Sequence, residues 1–123
     1  MRFIHLLSKE ARLKLLNLLL ISRGKKELAE ELGLSPASIT KYLIGLMHPS
    51  DNTVKKMINI MSSRERARAY EIILEDLALG LEELLREIKD HITTFDKDAR
   101  NTIKTTLGEL VLSCESLIKE LNE

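Results

Sequence analysis

The side chains able to do chemistry in this chain fall into three short groups. Arg23, Lys25 and Lys26 form a cationic cluster suited to an anion such as a phosphate. Ser35, Pro36, Ala37, Ser38, Thr40 and Lys41 come next, offering small hydroxyls that donate or accept hydrogen bonds, a methyl group and one ammonium. His48, Asn52 and Thr53 add neutral hydrogen-bonding groups. These residues hold a ligand rather than transform one. Nothing else supplies a reaction: there is no phosphate-cradling glycine loop, no nucleophile elbow and no H-E-x-x-H run. Glu30 with Glu31, and Glu82 with Glu83, are adjacent carboxylates, but neighbours on a helix point about 100° apart and cannot easily share a substrate. His5, His48 and His91 are too scattered to make a metal site with Cys114, the only cysteine. The chain reads as a non-enzymatic binding protein, with no metal, no cofactor and no recognised small-molecule site.

Short polar side chains recognise a ligand only if rigid elements present them. The segment KKELAEELGLSPASITKYLIGLMHPSDNTVKKMINIM, from Lys25 to Met61, carries two short helix patterns joined by a tight turn. Gly33 stands where the first pattern must stop and the backbone is free to adopt positive φ. Ala29 is small enough to let a second helix cross closely over the first. Ser35 is a favoured N-cap and Pro36 suits the first helical position, so a new helix starts at once. Leu28, Leu32, Leu34, Ile39, Leu43 and Leu46 are assigned to the buried faces, leaving Ala37, Ser38, Thr40, Lys41 and Ile44 on the outside of the second helix. Two helices joined by a three- or four-residue turn containing glycine make a helix-turn-helix.

This segment resembles the helix-turn-helix domain of the Cro and phage-repressor family, often called XRE-type. The resemblance runs from about Ser8 to Met61 and includes Tyr42 and Leu43 at the end of the second helix, then Gly45, then Pro49 with Ser50, and a further helix capped by Ser50 or Asp51. It implies a helical bundle that binds double-stranded DNA. Ser35, Ala37, Ser38, Thr40 and Lys41, with Pro36 between them, would enter the major groove, where Ser and Thr bond several bases, Ala37 meets a thymine methyl and Lys41 reaches guanine or a phosphate. The helix start at Lys25 and Lys26, with Arg23 beside it, would face a phosphate. His48, Ser50, Asn52 and Thr53 would touch the DNA backbone on the other side. Many relatives carry Gln, Asn or Arg at the start of this helix, so the small residues here imply modest specificity, supported by DNA shape and paired half-sites.

Composition points the same way. Leu, Glu, Lys, Ala and Arg dominate the 123 residues, aromatic residues are 3%, and no β-branched run alternates with period two, so helices packed by Leu and Ile are expected. The formal net charge of zero hides a division: 13 Lys and Arg against 6 Asp and Glu through Arg68, and 6 against 13 from Ala69 onward. The basic half coincides with the helix-turn-helix, as phosphate neutralisation requires. A single cysteine makes a cytoplasmic location the expectation. Cys114 itself falls on an apolar stripe and reads as a small core residue. Lys9, Glu10 and Arg12 interrupt any signal-peptide core, and the apolar run Leu15–Ile21 is too short to span a bilayer, so no membrane role is expected.

A first helix is expected from Ser8, as N-cap, to about Ser22. Leu13, Leu16, Leu19 and Leu20 would back the helix-turn-helix, and Leu15, Leu18 and Ile21 make this helix apolar nearly all round, so it must be covered on more than one side. Met1–Leu7 either extends it or forms an arm. SSRERAR, from Ser62 to Arg68, reads as a charged junction, which divides the chain into residues 1–63, binding DNA, and residues 64–123, a helical hairpin. Tyr70, Leu74, Leu77, Leu81, Leu84 and Ile88 alternate steps of four and three, a heptad seam, with Gly80 suggesting a close crossing. Thr93 or Thr94 would cap a last helix, from about Phe95 to Leu121, whose stripe includes Ile103, Leu107, Leu110, Cys114 and Leu117. Two helices cannot enclose both stripes, so the hairpin either folds back on the first helix or pairs with a second chain, and a homodimer is the expectation. The whole reads as an all-α transcriptional regulator that binds DNA as a homodimer. The alternative is a protein-interaction module, such as an antitoxin or adaptor, whose hairpin binds a different protein.

Overall fold

The computed structural model describes residues 1–123, and every regular element in it is helical. A 3-10 turn, Arg2–Leu6, precedes α1 (Lys9–Leu20), α2 (Lys25–Leu32), α3 (Pro36–Leu43), α4 (Asp51–Ile60) and α5 (Ser63–His91); a second, Ile92–Thr94, precedes α6 (Lys97–Leu121). No helix is long and apolar enough to cross a membrane. The chain divides into two compact units, Met1–Glu82 and Glu83–Glu123.

In the first unit the helix ends are set by local chemistry. Ser8, Ser35 and Ser50 accept hydrogen bonds from the backbone N–H groups of Ala11, Ser38 and Thr53, which satisfies donors that every helix start leaves open. Two left-handed glycines end α2 and α3, Gly33 at φ 69° and Gly45 at φ 79°. Beyond them the Leu34 N–H reaches Ala29 O at 2.8 Å and the Leu46 N–H reaches Lys41 O at 3.0 Å, so both helices close with the same backbone motif. Leu46, assigned to a buried face, is instead 72% exposed, because α3 ends at Gly45 and its helical periodicity does not extend past that glycine.

The core of this unit centres on Leu15, Leu16, Leu19, Leu28, Leu32, Ile39, Val54 and Met57, all inaccessible to solvent or nearly so. Ala29 is fully buried, and α2 packs against α3. The N-terminal segment is an arm rather than an extension of α1: Ile4 and Leu7 join the core, and the arm lies against α4. The second side of α1 is covered by α5, which contributes Ala69, Ile72 and Ile73 to the same core. Ser8 meets Asp76 at one end of this pairing while Arg23 meets Glu65 at the other, so α5 runs antiparallel to α1. The charged segment after Met61 is therefore no linker. It forms the first turns of α5, and the compact unit continues to Glu82 because the buried face of α5 belongs to it. A Cβ added at Gly80 would meet no atom within 4 Å, so this glycine marks no close crossing.

The second unit is a helical hairpin made from the end of α5, the turn and α6. Asp96, rather than Thr93 or Thr94, caps α6 by accepting the Ala99 N–H at 2.8 Å; Thr94 lies in the 3-10 turn and donates its hydroxyl to His91 O. Arg100 donates to Phe95 O and Ile92 O and braces the connection. Ile88, Phe95, Ala99, Ile103 and Leu107 are half-buried, whereas Leu84, Leu110, Leu117 and Leu121 are exposed. Cys114 is exposed too, not in a core, because this stretch of the stripe has no cover within the single chain.

Candidate nucleic-acid interface

Buried Ile39 and Tyr42 anchor α3, which turns Ala37 and Lys41 to the outside, with Ser35 and Pro36 exposed at its start. Ser38 and Thr40 are half-buried at its flanks. Their hydroxyls are satisfied locally: Ser38 Oγ lies 3.1 Å from Ser35 Oγ, and Thr40 donates to Pro36 O at 3.3 Å. Such short-range bonds are exchangeable for a base or phosphate at little cost. Ile44 is 65% exposed at the far end of the helix, as its place in the pattern requires.

The start of α2 has no side-chain cap, since Gly24 occupies the N-cap. Lys25 and Lys26 are exposed there, and neither they nor Lys41 belong to any of the ion pairs in the structure. An anion at this end of α2 would meet open backbone N–H groups and two free ammonium groups together.

Arg23 does not join them. Its Nη1 donates to Glu65 Oε2 at 2.6 Å and its Nη2 to Glu65 Oε1 at 3.1 Å, while its Nε donates to Glu31 Oε1 at 3.0 Å. Further bonds run to Leu19 O and Ile60 O. The bond to Glu65 raises the guanidinium pKa above its ordinary value, and the same bond pulls the Glu65 carboxyl down to about 2. The Arg23 side chain, only 12% exposed, is thus a clamp among α1, α2, α4 and α5 rather than a phosphate ligand.

His48 and Asn52 are exposed after α3, but Thr53 is buried. Its N–H donates to Ser50 Oγ and its hydroxyl accepts from the same serine, so its side chain serves the start of α4 and is turned away from any ligand. The loop is held from beneath by Arg12, which is 6% exposed and donates to Pro49 O, Ile4 O, Leu7 O and Asp51 Oδ1. His5 Nδ1 lies 2.8 Å from the other Asp51 oxygen, and the bonds from His5 and then Arg12 hold that carboxyl below its usual range. The positioning role of Arg12 escapes sequence reasoning, although an arginine between Ala11 and Leu15 on an apolar helix is the visible signal. Lys9, an exposed cation, lines the same depressions as His48.

Together α2 and α3 define a bihelical unit with an exposed second helix and cations at the start of the first. Residues 9–63 match the family model described as Helix-turn-helix, of the Cro and phage-repressor, XRE type. The family binds DNA. No curated protein and no solved structure gives a significant match to the chain.

Proposed function

We propose that the protein regulates transcription by placing α3 in the major groove of double-stranded DNA, as a homodimer and with modest sequence specificity. The observation that carries this reading is the company of exposed Ala37 and Lys41 on α3 with unpaired Lys25 and Lys26 at the start of α2, inside a domain of DNA-binding family. The groove face would read bases through Ser38, Thr40 and Lys41, and the lysines of α2 would neutralise phosphates. The homodimer is supported by apolar side chains that the single chain leaves open: Tyr70, Leu74, Leu81 and Leu84 on α5, and Leu110 and Leu117 on α6. Large apolar side chains left exposed along a helix support association with a second copy, and two linked copies would present two reading helices to paired half-sites.

Selection of bound sequences from random duplexes, with the mass of the complex measured by sedimentation, tests both parts. A two-fold symmetric consensus occupied by two chains is the expected result. A chain that binds no duplex even at low salt would end the reading and leave the hairpin as a docking module for another protein.

A further inference from the structure

The first turns of α5 bring a second set of cations beside Ser22 and Arg23, the residues that lead into α2. The Arg23–Glu65 pair fixes the start of α5 against the residues that lead directly into α2, since Gly24 and Lys25 come immediately after Arg23. Helical periodicity then sorts the charges of α5 by face. Glu65 takes the Arg23 guanidinium, and Arg66 donates to Ile58 O and Met61 O behind α4. Arg64 and Arg68, one turn apart on the same face, stay exposed.

These two arginines line a cleft of about 580 Å³ together with Leu18, Ile21, Ser22, Arg23, Ser62 and Glu65. The only carboxylate in that lining is Glu65, already neutralised by Arg23. Arg64 belongs to no ion pair, and Arg68 is paired only with Glu71, an exposed partner that competes weakly in water. The cleft thus carries uncompensated positive charge beside an apolar wall, Leu18 and the 82% exposed Ile21. A polyanion that alternates phosphates with apolar sugar faces fits that lining.

We propose that Arg64 and Arg68 form a further phosphate-binding site, gripping the DNA backbone that flanks the phosphate held at Lys25 and Lys26. The site rests on the DNA-binding reading above and extends it from the helix-turn-helix to α5. It contributes affinity without sequence preference and lengthens the footprint.

The test uses the full chain with Arg64→Ala and Arg68→Ala together, beside Lys25→Ala with Lys26→Ala, and a charge-matched control, Arg86→Ala with Lys89→Ala. Affinity for a random-sequence duplex is measured against salt, with circular dichroism as the check on folding. The expected result is a log–log slope reduced by about one to two units in the Arg64/Arg68 variant, because each phosphate contact releases roughly one counterion. The control should keep the wild-type slope, and Arg64→Lys with Arg68→Lys should restore most of the loss. Ethylation interference should cease at flanking phosphates in the arginine variant and not at those lost with Lys25 and Lys26. An unchanged slope in the Arg64/Arg68 variant, with a reduced one in the Lys25/Lys26 variant, overturns this site and leaves the DNA-binding reading in place. Equal losses in the arginine variant and the control overturn it as a net-charge effect. A wild-type chain that binds no duplex removes both.

Discussion

Arg23 and Glu65 stand 42 residues apart in sequence and meet in a two-pronged ion pair, with Nη1–Oε2 at 2.6 Å and Nη2–Oε1 at 3.1 Å. Their side chains are 12% and 13% exposed, so each charge has given up most of its water and depends on the other. Removing one partner strands the other. Glu65→Gln is therefore expected to destabilise the first unit by about 1.5–3 kcal/mol, the range for a hydrogen bond to a charged group. Urea unfolding of the full chain measures it; a change below about 0.5 kcal/mol, the scale of ordinary surface substitutions, would reduce the pair to a surface contact.

The same pair sets a pH dependence. Glu65 is held at about 2 in the folded chain, against an ordinary 4.5, by the Arg23 bond above all, then by the Ser62 N–H and Ser22. A carboxyl whose folded pKa is depressed binds protons more readily when unfolded, so its contribution is fully present above pH 4.5 and is lost as pH falls towards 2. The stability gap between wild type and Glu65→Gln should therefore close across that window. A gap that stays constant from neutral pH down to the folded value would contradict the assignment.

What is legible in the sequence here is what local chemistry decides. Gly33, Ser35 with Pro36, and Ser50 act on backbone groups within a few residues of themselves, so α2, α3 and α4 can be placed without knowing the rest of the fold. Arg23 and Arg12 act instead on partners 37 to 42 residues away, and their isolated letters look like any surface cation. That is why Arg23 reads as a phosphate ligand in sequence and is a clamp in the structure. The start of α5 is hidden for a related reason: SSRERAR is polar enough to resemble a linker, yet only its partners show that Glu65 and Arg66 face inward. The apolar stripes of α5 and α6 are plainly visible in sequence, whereas the exposure of Leu84, Leu110 and Leu117 follows only from the packing of the folded chain.

Two glycines should respond oppositely to the same substitution. Gly33→Ala forces a Cβ into left-handed backbone at φ 69° and is expected to cost about 1–2 kcal/mol. Gly80→Ala meets open space within a helix and should add about 1 kcal/mol. Thermal melts of both variants decide it; a destabilised Gly80→Ala would mean that this face of α5 is packed against something in solution.

Dimerisation is tested on the open seam. Leu84 and Leu117 are each 54% exposed in the single chain, so a charge at either position costs its fold little. The wild type should sediment as a dimer at tens of micromolar and Leu84→Glu with Leu117→Glu as a folded monomer, because an unpaired carboxylate buried in an apolar contact is not tolerated. A variant that remains dimeric would move the interface elsewhere.

Whether α3 reads bases at all is tested on its outer face. Ile39 and Tyr42 hold the helix from within, while Lys41 is exposed and Ser38 is half-exposed with its hydroxyl bonded only to Ser35. Ser38→Ala with Lys41→Ala should thus leave the fold intact, since alanine favours helix and no buried partner is abandoned. Preference for the selected sequence should erode, each good base contact being worth about 1–3 kcal/mol of discrimination and a serine less. Random duplexes should lose less, because the phosphate contacts proposed for Lys25 and Lys26 are untouched. The ratio of specific to random affinity is the readout, taken at one fixed salt concentration because both affinities fall steeply with salt. If the double variant is folded and keeps the wild-type ratio, α3 does not read the sequence, and recognition must come from DNA shape or from another surface of the chain.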